Sequence, residues 1–257
     1  MIERIQSQLR ATARNQYTAV HLPPFSCFIN GDEPAPWASY AIPDRPVGGD
    51  VGSALEKMVD WYSTNERMPR LEFVEAFAPD LARILESVGF VQEARTQLMV
   101  ARPESLIAAN SVRALTIVEL GRYPALSLVQ QAISVLERGF GGPDDLYVTS
   151  SRARAFWTRF GSSRFFLACM EGQAVSVGSL TPPWNGVSEI AGIATLEKYR
   201  RRGIASALTA HISAAGFGQG QELLFLTAGD ARSGRVYEQV GYESIGHGLA
   251  YYLPTPE

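Results

Sequence analysis

The strongest constraint on this chain is an internal repeat. Laid without gaps on Leu223–Tyr252, the segment Leu71–Val100 gives identical pairs at Leu71/Leu223, Phe73/Phe225, Ala76/Ala228, Arg83/Arg235, Glu86/Glu238, Val88/Val240 and Gly89/Gly241. Phe90 lies opposite Tyr242. After a one-residue shift the match runs upstream, with Ser53-Ala54-Leu55 opposite Ser206-Ala207-Leu208. Val51, Leu55, Val59 and Ile204, Leu208, Ile212 share the i, i+4, i+8 spacing that puts apolar side chains on one helix face. Self-similarity of this kind means one supersecondary unit used twice.

The unit reads helix, strand, helix, strand. In the second copy the first helix is expected from about Arg202 to Ala215, with Gly216 as its stop. Leu223–Thr227 reads as a buried strand, Asp230 as a helix cap, Gly241 as a helix end and Ile245–Leu253 as a last strand. In the first copy Pro79 is expected just inside the second helix and Gly89 just past its end. Two related domains follow, 1–103 and 104–257, divided at Arg102-Pro103-Glu104-Ser105. The second opens with a strand near Val112–Leu120, a helix near Ala125–Arg138 and a loop at Gly139–Asp145. Arg164–Met170 and Ala174–Leu180 read as antiparallel strands about Glu171-Gly172-Gln173. The turn Pro182-Pro183-Trp184-Asn185-Gly186 leads into a strand at Ser188–Thr195. The fold class is α/β (α+β), each domain a mixed, mostly antiparallel sheet flanked by helices.

Composition narrows the function classes. With 257 residues, 46% of them hydrophobic, the chain can bury one large core or two ordinary ones. A net charge of −3, from 23 basic and 26 acidic side chains, gives no basic footprint for nucleic acid or an anionic membrane. No apolar run approaches the roughly 20 residues of a membrane helix, and the polar start Met1–Gln6 precedes no signal-like apolar stretch. A soluble, cytoplasmic protein is the expectation. Cys27 and Cys169, each in an apolar stretch, read as reduced thiols. His21, His211 and His247 have no partners at metal-ligand spacing, so no metal is expected.

The chemistry is concentrated in Glu189-Ile190-Ala191-Gly192-Ile193-Ala194-Thr195-Leu196-Glu197-Lys198-Tyr199-Arg200-Arg201-Arg202-Gly203-Ile204-Ala205. A strand ends, a turn follows, and a helix opens at Arg-x-x-Gly-x-Ala. The first turn of a helix offers free N–H groups and the positive dipole end, which suit a diphosphate. Gly203 and Ala205 let phosphate oxygens approach the backbone. Gly192 in mid-strand fits a bulge or a close backbone approach. Downstream stands Asp230-x-x-Ser233-x-x-Val236-Tyr237-Glu238-x-x-Gly241-Tyr242.

Together these resemble two motifs of the GNAT superfamily: Arg/Gln-x-x-Gly-x-Gly/Ala after a strand, then Asn-x-x-Ala-x-x-Leu-Tyr-x-x-x-Gly-Phe. Asp230 departs from Asn and Ser233 from Ala. The resemblance implies an acetyl-CoA-dependent N-acetyltransferase acting on a small-molecule or peptide amine, as a monomer or homodimer. It implies that Ile193, Ala194 and Thr195 contact the pantetheine arm through their backbone. Arg200, Arg201, Arg202, Gly203, Ile204, Ala205 and Ser206 would hold the pyrophosphate, with Asp230 also in the cofactor site. Tyr237 would protect the leaving thiolate, its hydroxyl being protonated near neutral pH with a reference pKa of about 10; the other reading is a packed helix tyrosine. Glu189 would accept the amine proton. Alternatively it is a solvated strand-end carboxylate, and a water chain serves or the amine binds neutral.

The first copy is an internal control. Opposite Arg200–Ala205 it has Val47-Gly48-Gly49-Asp50-Val51-Gly52, with no arginine and with Asp50 where a diphosphate would sit. Opposite Tyr237 it has Leu85. The repeat retains a fold without the chemistry, although a glycine-rich loop leaves weak phosphate binding open. The alternative function is a sensor or scaffold that binds acyl-CoA without transferring it. Trp184 either borders the acceptor or braces its turn, and Arg152–Arg159, with Phe156 and Trp157, reads as a solvated amphipathic helix face.

Overall fold

The structure, a computed structural model, describes residues 1–31, 38–48 and 51–254. Gly49 and Asp50 of the aligned loop lie outside the described residues. In chain order the elements are α1 (Ile2–Gln16), β1 (Thr18–Leu22), β2 (Phe25–Ile29), β3 (Tyr40–Pro43), α2 (Gly52–Thr64), β4 (Arg70–Val74), α3 (Leu81–Ser87), β5 (Val91–Ala101) and β6 (Leu115–Leu120). Then come α4 (Leu126–Gly139), α5 (Ser150–Phe160), β7 (Arg164–Met170), β8 (Gln173–Leu180), β9 (Val187–Thr195), α6 (Ile204–Phe217), β10 (Leu223–Ala228), α7 (Ala231–Glu238) and β11 (Glu243–Tyr252). None of the helices is long and apolar enough to cross a membrane among the described residues.

The chain gathers into two compact units. The first takes Met1–Leu98, Thr227–Asp230 and the segment from Ser244 onward. Its strand order is β1-β2-β3-β4-β11-β5. The β3/β4 pair is parallel and registers at Ala41↔Leu71, while β11 runs antiparallel to β4 from Gly248↔Val74 to Tyr252↔Arg70. Phe25, Phe28, Leu71, Phe73 and Tyr251 are buried in its core, with the Phe73 and Tyr251 rings stacked at 6.2 Å. The second unit takes Met99–Leu226 and Ala231–Glu243. Its strand order is β10-β9-β8-β7-β6, antiparallel except for the parallel β9/β10 pair. Leu120, Val129, Ile133, Phe165, Leu167 and Val177 form a core beneath α4 and α5, and the Leu208 and Ile212 side chains of α6 are fully buried.

The repeat takes the same backbone form twice. Strand, helix and strand recur as β4-α3-β5 and β10-α7-β11. Both helices end at a glycine in the left-handed region, Gly89 at φ +91° and Gly241 at φ +96°, as helix stops without a Cβ allow. Both β-hairpin turns of the second unit carry two positive-φ residues, Glu171 (52°) with Gly172 (78°) and Asn185 (49°) with Gly186 (72°). That is the turn type whose twist suits paired strands.

Four details differ from the sequence reading. Helix α6 opens at Ile204, not Arg202, because Gly203 is its N-cap with φ +77°. Gly216 does not stop that helix; it lies inside it, where a Cβ would meet Leu224 and Leu180 at 3.2 and 3.3 Å, and Gly218 is the C-cap. Pro79 stands before α3 rather than in it, since Asp80 is the N-cap. Residues from Ser244 onward group with the first unit rather than with 104–243, because β11 pairs with β4.

Candidate active site

Strand β9 has different partners along its length. Toward β10 the parallel register covers Val187–Glu189 opposite Leu223–Phe225 and then stops. Toward β8 the pairing continues to Ser176↔Thr195, but with a break: Val177 faces Ala194 and Ser179 faces Ala191. Gly192 and Ile193 therefore stand opposite the single residue Gly178, which makes a β-bulge. Gly192 takes φ +65°. A Cβ on Gly178 would lie 2.4 Å from Ile193 Cδ1 and 2.8 Å from Ile212 Cδ1, so the bulge and α6 close over a bare backbone.

Hydroxyls from β8 and the residue after it satisfy the irregular backbone. Ser176 Oγ donates to Ala194 O at 2.6 Å and Ser179 Oγ to Ala191 O at 3.1 Å. Thr181 Oγ1 accepts the Glu189 N–H at 2.8 Å, while the Thr181 N–H donates to Glu189 O at 2.9 Å. Buried main-chain groups need such partners wherever the ladder is broken.

Past Thr195 a short 3-10 turn (Glu197–Tyr199) leads to the opening of α6. Arg201 at φ +61° and Gly203 at φ +77° are both left-handed. Such alternation curls successive N–H groups toward one concave side. No side chain caps α6, so the N–H groups of its first turn lack acceptors within the helix and carry the positive dipole end. Arg201 and Arg202 are exposed. The Arg202 guanidinium and the Lys198 ammonium lie 5.4 and 5.0 Å from the Tyr199 ring.

Arg200, expected among the cofactor cations, is committed elsewhere. Its Nε donates to Thr195 O at 3.1 Å and its Nη2 to Gly139 O at 2.7 Å. It ties the turn to the end of α4. Gly139 permits that approach: a Cβ there would lie 2.7 Å from the Ala194 Cβ.

Tyr237 sits on α7, 8% exposed, with its ring 6.3 Å from Tyr242. The Tyr242 N–H donates to Tyr237 O at 3.1 Å through the Gly241 turn. The Tyr242 hydroxyl shares a 2.9 Å hydrogen bond with Ser213, and burial pushes its pKa well up, which fits a structural role. Glu189 is half-buried at the point where β9 leaves β10. Ile193, Ala194, Thr195 and Arg201–Ser206 gather at the other end of β9, roughly 20 Å along an extended strand. Asp230 stands one residue ahead of α7 and groups with the first unit.

The remaining candidates have structural partners. Trp184 and Val187 exchange main-chain hydrogen bonds at 2.9 and 3.0 Å, bracing the turn. Phe156 and Trp157 pack their rings on Phe165 at 5.4 and 5.8 Å. His211 stands edge-on to Phe166, and His21 and His247 pair with Asp44 and Glu75. Burial raises both thiols, that of Cys27 up to about 12, which makes neither a ready nucleophile. Sequence reasoning missed Gly139, Gly178, Ser176, Ser179 and Thr181. For Ser176, Gly178, Ser179 and Thr181 the only signal was small and hydroxylic residues in and just after an apolar strand; Gly139, at the end of α4, gave none.

Comparison with known proteins bears on the fold. Residues 130–242 match the model of the Acetyltransferase (GNAT) family. A GCN5-related N-acetyltransferase from Kribbella flavida shares the fold with a TM-score of 0.81 at 24% identity, over 100% of this chain and 96% of that one. A tandem GNAT protein from the clavulanic acid biosynthesis pathway gives a TM-score of 0.66 at 13% identity, over 90% and 79%. A GCN5-related N-acetyltransferase from Sphaerobacter thermophilus gives 0.62 at 15%, over 91% and 78%. No curated protein matches the sequence.

Proposed function

We propose that the second unit moves an acetyl group from acetyl-CoA to a primary amine of a small molecule or peptide, by direct attack. The observation that carries this reading is the uncapped opening of α6 beside a strand that has left its neighbour after Glu189. The donor set fits coenzyme A: main-chain N–H groups and exposed arginines suit a diphosphate, and the bulged strand suits an extended arm bearing amides. Coenzyme A, when bound, presents the acetyl group as a thioester.

Main-chain N–H groups around Arg201–Ser206 hold the pyrophosphate, with Arg201 and Arg202 adding charge. Arg200 acts indirectly, by fixing the turn against α4. The backbone at Ile193 and its neighbours orients the arm. The amine nitrogen attacks the thioester carbonyl, the C–S bond breaks, and the Tyr237 hydroxyl gives its proton to the departing sulfur. Glu189, or water beside it, takes the proton that the amine loses. A resting ammonium sheds that proton before it attacks, and the second proton, lost from nitrogen once the C–N bond has formed, returns to the Tyr237 oxygen.

Calorimetry with acetyl-CoA tests the reading, and absence of binding to the intact protein ends it. Tyr237→Phe should lower kcat by about 10²-fold while leaving affinity for acetyl-CoA nearly unchanged. An equal loss in both would make Tyr237 a packing residue.

A further inference from the structure

The repeat places β3 and β4 of the first unit where the second has β9 and β10: a parallel pair, one strand before and one after the amphipathic helix. The first pair registers at Ala41↔Leu71, and the strands end at Pro43 and Val74. In the second unit the corresponding divergence is where an arm is proposed to lie. In the first, a side chain of α1 spans the two strand ends.

Gln6 is fully buried, at 0% exposure. A buried carboxamide needs partners at both ends. Its Nε2 donates to Pro43 O at 3.4 Å, and the Val74 N–H donates to its Oε1 at 2.9 Å. One amide group thus reaches the last residue of β3 and the last residue of β4. A helical turn further on, Arg10 repeats the span. Its Nη1 donates to the same Pro43 O at 2.8 Å, and its guanidinium lies 5.8 Å from the ring of Phe77, just past β4. Ile5, beside Gln6, is fully buried too. The donor and acceptor that an inserted extended arm would need from these strand ends are already engaged by the protein's own helix.

We propose that α1 is the built-in occupant of the first unit's slot, the Gln6 carboxamide taking the place that an amide of an inserted arm would take, so that each chain binds one acyl-CoA and not two. The count rests on the function proposed for the second unit; the plug itself does not.

Two measurements on the full chain decide it. Native mass spectrometry with acetyl-CoA should give one bound equivalent per chain. Two equivalents would overturn the proposal. No binding at all would remove the function proposed for the second unit and leave the plug to the other measurement, hydrogen exchange at the Val74 amide. In the wild type that amide should be protected and unmoved by acetyl-CoA. Gln6→Ala should speed its exchange by about tenfold, the scale of one lost hydrogen bond. Gln6→Glu, which keeps an acceptor for Val74, should restore most of the protection. Rapid exchange in the wild type, slowing on addition of acetyl-CoA, or equal exchange in all three proteins would each overturn the plug.

Discussion

At one place in the repeat the first unit carries Leu85 and the second Tyr237, on helices that both stop at a left-handed glycine. Leu85 is fully buried, and Tyr237 is nearly so. The same helix position therefore holds an aliphatic side chain in one copy and a phenol in the other. The parallel strand pairs show a second contrast. One is bridged by Gln6, while the other runs into a bulge and an uncapped helix opening. The lesson is that the backbone plan needs only the apolar face and the glycine stops. The proposed chemistry needs a polar group at a position where the fold accepts a hydrocarbon equally well.

Substitutions in the two copies can break that comparison. The largest effect is expected at Leu85→Ala, which should destabilise the first unit by about 2–5 kcal/mol through the cavity it leaves. Chemical denaturation reads this, and acetyl-CoA turnover per folded molecule should not change. A parallel loss of turnover would show that the two copies are not separable in role. Next comes Gly203→Asp, which puts a carboxylate and an unfavourable φ at the opening of α6. It should weaken acetyl-CoA binding by about 100-fold, or about 2.7 kcal/mol. Gly48→Asp, in the aligned loop where a Cβ meets nothing within 4 Å, should leave binding unchanged. Equal losses from the two changes would place a second diphosphate site in the first unit.

The smallest effect concerns the edge of the second unit. Arg164 grips Glu119 with Nε at 2.6 Å and Nη2 at 2.8 Å. That hydrogen bonding holds the Glu119 pKa below its ordinary 4.5. A depressed carboxylate stabilises the fold above its unfolded pKa, and the contribution fades as pH falls through the lower folded value. Because the pair is exposed, Glu119→Gln should cost less than about 1 kcal/mol near neutrality. Thermal melts of the two proteins should converge as the pH is taken below 4.5. A gap that persists in acid would point to packing rather than charge.

Much of this was legible in the chain itself. Local patterns determined the glycine stops at Gly89 and Gly241, the two hairpin turns, an irregularity at Gly192 (a bulge or a close backbone approach) and a helix opening after Thr195, because each depends on neighbours within a few residues; the repeat was legible by self-comparison of the chain. What needed tertiary structure was long in range. Arg200 reads from its motif as a phosphate ligand, and only the structure shows its guanidinium on the carbonyl of Gly139, 61 residues away. Gln6 is only one polar residue of the chain's start until its amide is found between Pro43 and Val74. β11 reads as the end of the second copy, yet it pairs with β4. Backbone donors and acceptors are alike in every strand, so the sequence sets which segments become strands, and only packing chooses which of them pair and which side chains close the gaps.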